Sequence, residues 1–175
     1  DLENGNASGF YPGGKYIYTK MIFADESYRD KTVLVEFEGV YMNSTVLLNG
    51  EEVGGWIYGY TNFYVDLTGR LKVGEENELR VIADNSKTPN SRWYSGSGIY
   101  RDVNLYTARK EYIVPDGIKV TTVSCTRGNC EESSEEKRVG LAVVRIEVEA
   151  EKAADTEILC EVYDGGEQKV AERKI

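Results

Sequence analysis

The chain has 175 residues and a net charge of -9, from 21 basic and 30 acidic side chains. This length fits one complete domain, or one domain and part of another, and the acidic balance argues against nucleic acid as a partner because phosphate binding needs clustered cations. The sequence contains no histidine, which excludes a Ser-His-Asp triad, a Cys-His pair and every histidine-ligated metal site within this chain.

The first 14 residues, DLENGNASGFYPGG, carry no basic segment followed by an apolar one. The overlapping stretch ASGFYPGGKYIY, residues 7–18, is interpreted as an arm packed along the sandwich, in preference to a loop on the substrate side. No apolar run approaches the roughly 20 residues needed to cross a bilayer, so we expect a soluble chain without a membrane partner. Since a removed leader would leave no trace, the compartment stays open, with the cytoplasm favoured over the periplasm or secretion.

Alternation of apolar and polar residues dominates the chain, and no window keeps a helical period for three turns, so we predict an all-β protein. The first two predicted strands, KYIYTKMIFA and TVLVEFEG, each place apolar residues on one face: Ile17, Met21 and Phe23 in the first, and Val33, Val35 and Phe37 in the second. On the second strand, Glu36 and Glu38 are expected to be solvated.

The clearest local signal is TVLLNGEEV, in which Asn49 and Gly50 separate two extended runs. Such a pair accepts the positive φ angles of a tight hairpin. Three further strands are predicted from NFYVDL, NELRVIAD and IYRDVNLY. Their inward residues are Phe63, Val65, Leu67, Leu79, Val81, Ala83, Ile99, Val103 and Leu105. Between these strands, Trp56, Tyr58 and Tyr60 either alternate into the core or form a platform for a sugar, and the core is favoured.

The alternation pauses over TARKEYIVPDG, where Pro115 and Gly117 indicate a linker, and we place a domain boundary after residue 110. Four strands are predicted beyond it, from GIKVTTVSC, VGLAVVRIEVEAE, TEILCEVYD and EQKVAERKI. An immunoglobulin-like sandwich needs about seven strands in roughly 100 residues, so this second domain is expected to be cut short. Its exposed sheet edges would favour a homo-oligomer, through strand exchange or association of open faces.

Three cysteines, Cys125, Cys130 and Cys160, make an odd count and cannot complete a disulfide framework. Cys125 and Cys130 could bond across a turn at Gly128 and Asn129, or all three could be reduced thiols, with Cys160 in a strand core. A zinc site is disfavoured because three sulfurs on two loops lack an obvious fourth ligand. We expect no metal and no cofactor.

The segment NSRWYSGSGIYRDVNLY, residues 90–106, carries a resemblance to a known family. Together with VLVEFEGVYMNSTVLLNGEEVG and GYTNFYVDLTGRLKVGEENELRVIADNS, it resembles the amino-terminal sugar-binding domain of glycoside hydrolase family 2, the family of β-galactosidases, β-glucuronidases and β-mannosidases. The motifs fall in the family order and spacing over about residues 16–106, and SRWYSGSGIYRDV is most similar to the β-galactosidase branch. The resemblance implies a jelly-roll (galactose-binding-like) β-sandwich over residues 1–110 and an incomplete immunoglobulin-like β-sandwich over residues 111–175.

The resemblance also implies where the chemistry lies. Retaining glycosidases need two carboxylates about 5 Å apart, and in this family both belong to a (β/α)8 barrel that follows these domains. None of the glutamates here is expected to be catalytic, so the segment alone should be inactive although its parent would be a glycoside hydrolase.

The loop within residues 90–106 is expected to lean toward the barrel mouth and to shape the substrate pocket. Carried over from the family, the substrate-binding candidates are Arg92 and Trp93, with Asp84 and Asn85 as weaker neighbours. Arg92 offers a planar fork of hydrogen-bond donors and Trp93 an aromatic face, and both suit a sugar. Trp93 could also be a core aromatic.

Three functions remain open at this point. The leading hypothesis is an accessory fragment of a β-galactosidase-like hydrolase, with carbohydrate and the catalytic barrel as its partners. The second is a free-standing carbohydrate-binding module, which would need a complete concave site within residues 1–110. The third is a purely structural module that packs against another domain. The unfinished second sandwich favours the first and third over the second.

Overall fold

The computed structural model describes residues 13–87, 96–127, 140–152 and 156–175. The chain divides into two compact units, Asp1–Lys110 and Glu111–Ile175. Apart from one 3-10 turn, Glu26–Tyr28, every regular element among the described residues is a β-strand. The predicted all-β class is therefore confirmed.

The described part of the first unit contains nine strands: β1 (Lys15–Phe23), β2 (Thr32–Phe37), β3 (Val40–Tyr41), β4 (Ser44–Leu48), β5 (Glu51–Trp56), β6 (Phe63–Asp66), β7 (Glu76–Asp84), β8 (Gly98–Ile99) and β9 (Val103–Ala108). They form a four-stranded sheet in the order β1-β7-β4-β5, a three-stranded sheet in the order β6-β2-β9, and a short pair of β3 with β8. All of the pairings are antiparallel.

A single apolar core joins the two larger sheets into a β-sandwich. The inward residues predicted for β2, β6 and β7 are all at most 6% exposed: Val33, Val35, Phe37, Phe63, Val65, Leu79, Val81 and Ala83. Leu67, just after β6, is completely buried. Since burying one large apolar side chain stabilises the fold by about 1.5–3 kcal/mol, this core is the main source of stability of the unit.

The predicted hairpin is confirmed. Asn49 and Gly50 join β4 to β5 and have φ angles of 52° and 89°. The Asn49 side chain also reaches β7, because its Oδ1 accepts a hydrogen bond from the Glu78 N–H at 3.0 Å and its Nδ2 donates to Asn77 Oδ1 at 2.9 Å. The turn is therefore fixed by its neighbour strand as well as by its own conformation.

Asn77 is fully buried and connects the hairpin with the turn that precedes β7. Its Oδ1 also accepts from the Lys72 N–H at 2.9 Å, and its Nδ2 donates to Lys72 O at 3.0 Å and Glu75 O at 3.1 Å. A buried amide is stable only when its polar atoms are satisfied, and here donors and acceptors are matched.

The apolar residues of β1 face solvent. Ile17, Met21 and Phe23 share a face, as predicted, but they are 60%, 50% and 55% exposed. Ile22, on the opposite face, is the β1 residue that packs against the core. The face of β1 that carries the most apolar residues is thus not its core face.

Val103 and Leu105 were predicted to be buried in the core. They line an open cleft at its edge. They are 42% and 37% exposed, and the cleft of about 550 Å³ is also lined by the core residues Val35, Phe37 and Val81. Both side chains lie on the core side of the sheet, as predicted, but the prediction that they are buried is wrong.

Glu36 was predicted to be solvated, and this is wrong because it is only 8% exposed. It lies on the face of the three-stranded sheet away from the core. Tyr64 OH at 2.9 Å and Asn62 Nδ2 at 3.2 Å donate to its Oε1. Tyr106 OH at 2.9 Å and Asn104 Nδ2 at 3.3 Å donate to its Oε2. Flanking side chains from β6 and β9 therefore cover the carboxylate that the alternation pattern leaves in solvent.

The second unit contains four strands in its described residues, and all four predicted strands are confirmed: β10 (Tyr112–Arg127), β11 (Gly140–Glu151), β12 (Leu159–Tyr163) and β13 (Lys169–Lys174). They form two antiparallel pairs, β10-β11 and β12-β13. The interpretation of Pro115 and Gly117 as linker residues is wrong, since both lie within β10 at the irregularity between Ile113 and Ile118.

None of the described side chains of the second unit is buried. Ile118, Val120 and Leu141 on the β10-β11 hairpin are 57%, 64% and 75% exposed. The two pairs of strands therefore present apolar faces without a covering layer among the described residues. Cys125 is a free, exposed thiol and Cys160 a free, half-buried one, while Cys130 lies outside the described residues.

Candidate functional site

The loop between β7 and β8, residues 86–97, is joined at its two ends by a hydrogen bond. Asn85 directly follows β7 and is 3% exposed. Its Nδ2 donates to Ser97 Oγ at 2.8 Å, and its backbone N–H donates to Gly14 O at 2.8 Å. Because Ser97 directly precedes β8, the Asn85 amide holds the base of the loop closed.

The exit of the loop is fixed by a close approach between β8 and β1. Gly98 has a φ of 89°, in the left-handed region that favours glycine. A Cβ at this position would collide with the hydroxyl of Tyr18, and the same hydroxyl accepts a hydrogen bond from the Ile99 N–H at 3.3 Å. The chain therefore needs a glycine where the loop returns to the sheet.

Asp84 places an ionised carboxylate beside the base of the loop. Its Oδ1 accepts from Ser86 Oγ at 2.6 Å and from the Ser86 N–H at 3.1 Å, and Lys15 Nζ lies 3.5 Å from its Oδ2. The Ser86 hydrogen bonds, and then Lys15, lower the pKa of the Asp84 carboxyl below its ordinary value. The side chain is 35% exposed, so it can accept hydrogen bonds from ligand hydroxyls but cannot supply a proton at neutral pH.

The backbone of Asp84 is held equally firmly. Its N–H donates to Met42 O at 2.9 Å, and its carbonyl accepts from Asn43 Nδ2 at 3.1 Å. Asn43 in turn donates its N–H to Ile57 O at 3.1 Å. Preorganised acceptors of this kind cost little ordering free energy when a ligand binds.

The structure thus places two of the four predicted site residues together, in different environments. Asp84 is half-buried at the base of the loop, while the buried Asn85 holds the loop ends. Arg92 and Trp93 lie outside the described residues, as do residues 7–12 of the amino-terminal arm, whereas the last four residues of the arm belong to β1. The contacts predicted for Arg92 and Trp93 stay predictions.

The aromatic residues after β5 form a second feature of the first unit. Trp56, Tyr58 and Tyr60 are 46%, 55% and 43% exposed, so their interpretation as core residues is wrong. The physical reason is that the chain leaves β5 at Trp56 and turns, so strand alternation no longer directs these side chains inward. The buried ring beneath them is Tyr41, whose centroid lies 5.2 Å from that of Tyr60.

Gly59 lies against the ring of Tyr41. Its replacement by alanine should destabilise the first unit by about 1–3 kcal/mol through overpacking. A Cβ there would collide with the Tyr41 ring, and the Gly59 carbonyl accepts from Tyr100 OH at 2.7 Å. Urea unfolding followed by tryptophan fluorescence measures the loss. Gly96→Ala is the control, because its added Cβ would meet no atom within 4 Å. Equal effects of the two substitutions would contradict this account of Gly59.

No protein-family model matches the chain. It is 46% identical over 121 residues to the β-galactosidase BoGH2A of Bacteroides ovatus, a match that covers 69% of this chain and 14% of that protein. Among solved structures, a β-glycosidase from Bacteroides vulgatus matches with a TM-score of 0.78 and 31% identity, over 99% of this chain and 21% of that one. A glycosyl hydrolase family 2 member from Bacteroides cellulosilyticus has a TM-score of 0.74 and 28% identity, over 93% of this chain and 21% of that one.

This chain belongs to glycoside hydrolase family 2. The resemblance predicted from the motifs is therefore confirmed, as is the β-sandwich class. The chain spans 14% of the length of BoGH2A, which corresponds to a domain fragment of such a family 2 enzyme. Further relatives are a β-glucuronidase of Formosa agariphila and a β-galactosidase of Thermoanaerobacter pseudethanolicus.

The described residues of this family 2 fragment contain neither a metal-binding cluster nor a membrane-spanning helix. Within residues 13–87, 96–127, 140–152 and 156–175, no three His, Cys, Asp or Glu side chains are grouped so that they could hold a metal ion. The same residues contain no helix with the length and apolar character needed to cross a membrane.

Proposed function

We propose that this segment is a non-catalytic, sugar-contacting domain of a β-galactosidase-like family 2 enzyme. The loop at residues 86–97 supplies one wall of a pocket in which a (β/α)8 barrel, outside these residues, hydrolyses an O-glycosidic bond. The observation that carries the proposal is the hydrogen bond from Asn85 to Ser97, which holds the two ends of the loop together next to the ionised carboxylate of Asp84.

Each candidate residue has a distinct role in this proposal. Asp84 accepts a hydrogen bond from a sugar hydroxyl, and Asn85 positions the loop without touching the sugar. Arg92 donates hydrogen bonds to the sugar, and Trp93 stacks on its apolar face. The partners of the segment are thus a carbohydrate and the catalytic barrel.

Catalysis is assigned to the barrel because the carboxylates described here are poorly suited to it. A retaining glycosidase needs a general acid that is still protonated near neutral pH. Burial opposes ionisation of Glu36, but the hydrogen bonds donated by Asn62, Tyr64, Tyr106 and Asn104 outweigh it and lower the pKa of that carboxyl. The segment alone is therefore expected not to hydrolyse glycosides.

The proposal predicts that Arg92→Ala and Asp84→Asn, made in the full-length polypeptide that carries this segment, each lower kcat/KM for a nitrophenyl β-galactoside by at least about tenfold, roughly 1.4 kcal/mol of lost transition-state binding. Glu52→Gln is the matched control, because Glu52 is exposed on β5 away from the loop. Unchanged kcat/KM in both loop variants would overturn the pocket-wall role, and a preference for the β-glucuronide would overturn the substrate branch.

Titration of the 175-residue segment with galactose, lactose, glucuronate and mannose separates this proposal from a free-standing module. A pocket wall that lacks its other walls should release no measurable heat with these small sugars. Millimolar binding that Arg92→Ala or Trp93→Ala abolishes would instead establish a self-sufficient site in the loop.

A further inference from the structure

Four large aromatic side chains are exposed in the first unit, three at the end of β5 and on the segment that follows it and one, Tyr100, hydrogen-bonded to that segment at the Gly59 carbonyl. We name Trp56, Tyr58, Tyr60 and Tyr100 the aromatic ridge; they are 46%, 55%, 43% and 45% exposed. Single exposed apolar residues are normal, but a contiguous group of aromatic ones usually marks a binding surface.

Trp56 is held in place by a hydrogen bond and by ring stacking, and it is about half exposed. Its Nε1 donates to Thr61 Oγ1 at 2.9 Å, and its ring is nearly parallel to that of Phe63, at 17° and a centroid distance of 6.3 Å. Phe63 stacks in turn on the buried Phe37 at 4.9 Å. Trp56 therefore ends a series of stacked rings that begins in the core, and it is the most exposed of the three rings.

The tyrosines of the ridge are also fixed. Tyr58 and Tyr60 meet edge to face with centroids 5.7 Å apart, and Tyr60 meets the buried Tyr41 in the same way at 5.2 Å. The Tyr100 hydroxyl donates to Gly59 O at 2.7 Å. Since the rings are already ordered, a ligand that stacks on them loses little binding free energy to side-chain ordering.

The stretch of chain that carries three of the four ridge residues is uncharged, and one cation lies beside the fourth. The segment from residue 56 to residue 63, WIYGYTNF, contains no charged residue, and Arg101 lies with its guanidinium 5.6 Å from the Tyr100 ring centroid. Flat aromatic faces bordered by hydroxyl and amide groups suit a ligand that has an apolar face and many hydroxyls. An uncharged pyranoside has both features, and the chain belongs to a family of glycoside hydrolases.

We propose that the aromatic ridge is a carbohydrate-binding platform for neutral oligosaccharides, separate from the loop at residues 86–97. Sugar rings stack on Trp56 and Tyr58, and the neighbouring hydroxyl and amide groups hydrogen-bond to the sugar hydroxyls. The platform needs no residue of the loop, so the two proposals can be tested independently.

The test is calorimetric titration of the 175-residue chain with cellotetraose, β-1,4-galactotetraose and β-1,4-mannotetraose. At least one of them should bind with a millimolar or lower Kd, and Trp56→Ala should weaken that binding by at least about tenfold. Trp56→Phe should retain part of the affinity, and Ile57→Ala should leave it unchanged, since Ile57 is the 75% exposed aliphatic neighbour. Tyr58→Ala provides a second variant in case Trp56→Ala perturbs the fold.

Arg92→Ala keeps the two proposals apart, because it should leave tetrasaccharide binding intact. The ridge proposal is overturned if none of the three tetrasaccharides binds at millimolar concentration, or if binding survives both Trp56→Ala and Tyr58→Ala. It is also overturned if sedimentation shows a dimer that Trp56→Ala dissociates while no sugar binds, because the ridge would then be a protein interface.

Discussion

Replacing Asn77 with alanine should lower the free energy of unfolding of the first unit by about 3–5 kcal/mol. Asn77 is completely buried, and its side chain takes part in four hydrogen bonds, with Asn49, Glu75 and both backbone groups of Lys72. Alanine would leave two donors and two acceptors without their partner at a position whose own side chain is completely buried. It would also release the hairpin at Asn49 from the turn that precedes β7.

Urea unfolding of wild type and Asn77→Ala, followed by tryptophan fluorescence and circular dichroism, measures this loss. Lys72→Ala is the matched control, because the Lys72 side chain is exposed and its backbone bonds to Asn77 would remain. The control should change stability by no more than about 0.5 kcal/mol. A similar small change for Asn77→Ala would mean that solvent replaces these hydrogen bonds without cost.

The sequence predicts the strands of this protein best where a strand has one clearly apolar face. In β2 and β7, Val33, Val35, Leu79 and Val81 occupy every second position, and all are buried. The Asn49-Gly50 turn is equally predictable, because few other residue pairs accept its φ angles. These features depend on residues close in sequence, so a local pattern suffices.

Prediction fails where both faces of a strand carry large side chains. In β1, Tyr16 and Tyr18 alternate with Ile17, so periodicity cannot say which face is covered. The answer depends on pairing with β7 at the edge of a sheet. Similarly, alternation predicts that Trp56 points into the core, but β5 ends at this residue and the chain turns, so the pattern no longer applies.

The candidate site shows the same division. The motif around Asp84 and Asn85 identifies the family, but only the fold shows that Asn85 is buried and joined to Ser97. Two polar residues adjacent in sequence thus lie in separate environments, Asp84 half-buried at the base of the loop and Asn85 inside the protein. Sequence alone offered no signal for this difference, since the partner of Asn85 lies beyond the loop.

The last substitution with a large expected effect is Glu36→Gln, which should destabilise the first unit by about 3 kcal/mol at neutral pH. Glu36 faces Tyr64 on β6 and Asn104 on β9 in the paired register, and each carboxylate oxygen accepts two hydrogen bonds. Glutamine replaces one of these oxygens with an NH2 group that points at two donors. Charge-assisted bonds are also about twice as strong as neutral ones.

The pH dependence of this effect follows from the direction of the pKa shift. Despite the opposing effect of burial, the hydrogen bonds lower the pKa of the Glu36 carboxyl in the folded state. Its contribution to stability is therefore complete above the unfolded value of about 4.3 and is lost as the pH falls through the lower, folded value. The difference in unfolding free energy between wild type and Glu36→Gln should shrink steadily below about pH 4.

Urea unfolding at a series of pH values from neutral to acid tests both the size and the sign. Glu52→Gln is the control for removing a charge from the same unit, since Glu52 is exposed on β5, and it should cost no more than about 0.5 kcal/mol at neutral pH. A protonated Glu36 resembles glutamine, so a difference in unfolding free energy that comes from the charge must disappear at acid pH. A difference that stayed constant across this pH range would therefore come from side-chain packing. If it grew toward acid, the folded carboxyl would have a raised pKa and burial would outweigh its four hydrogen bonds.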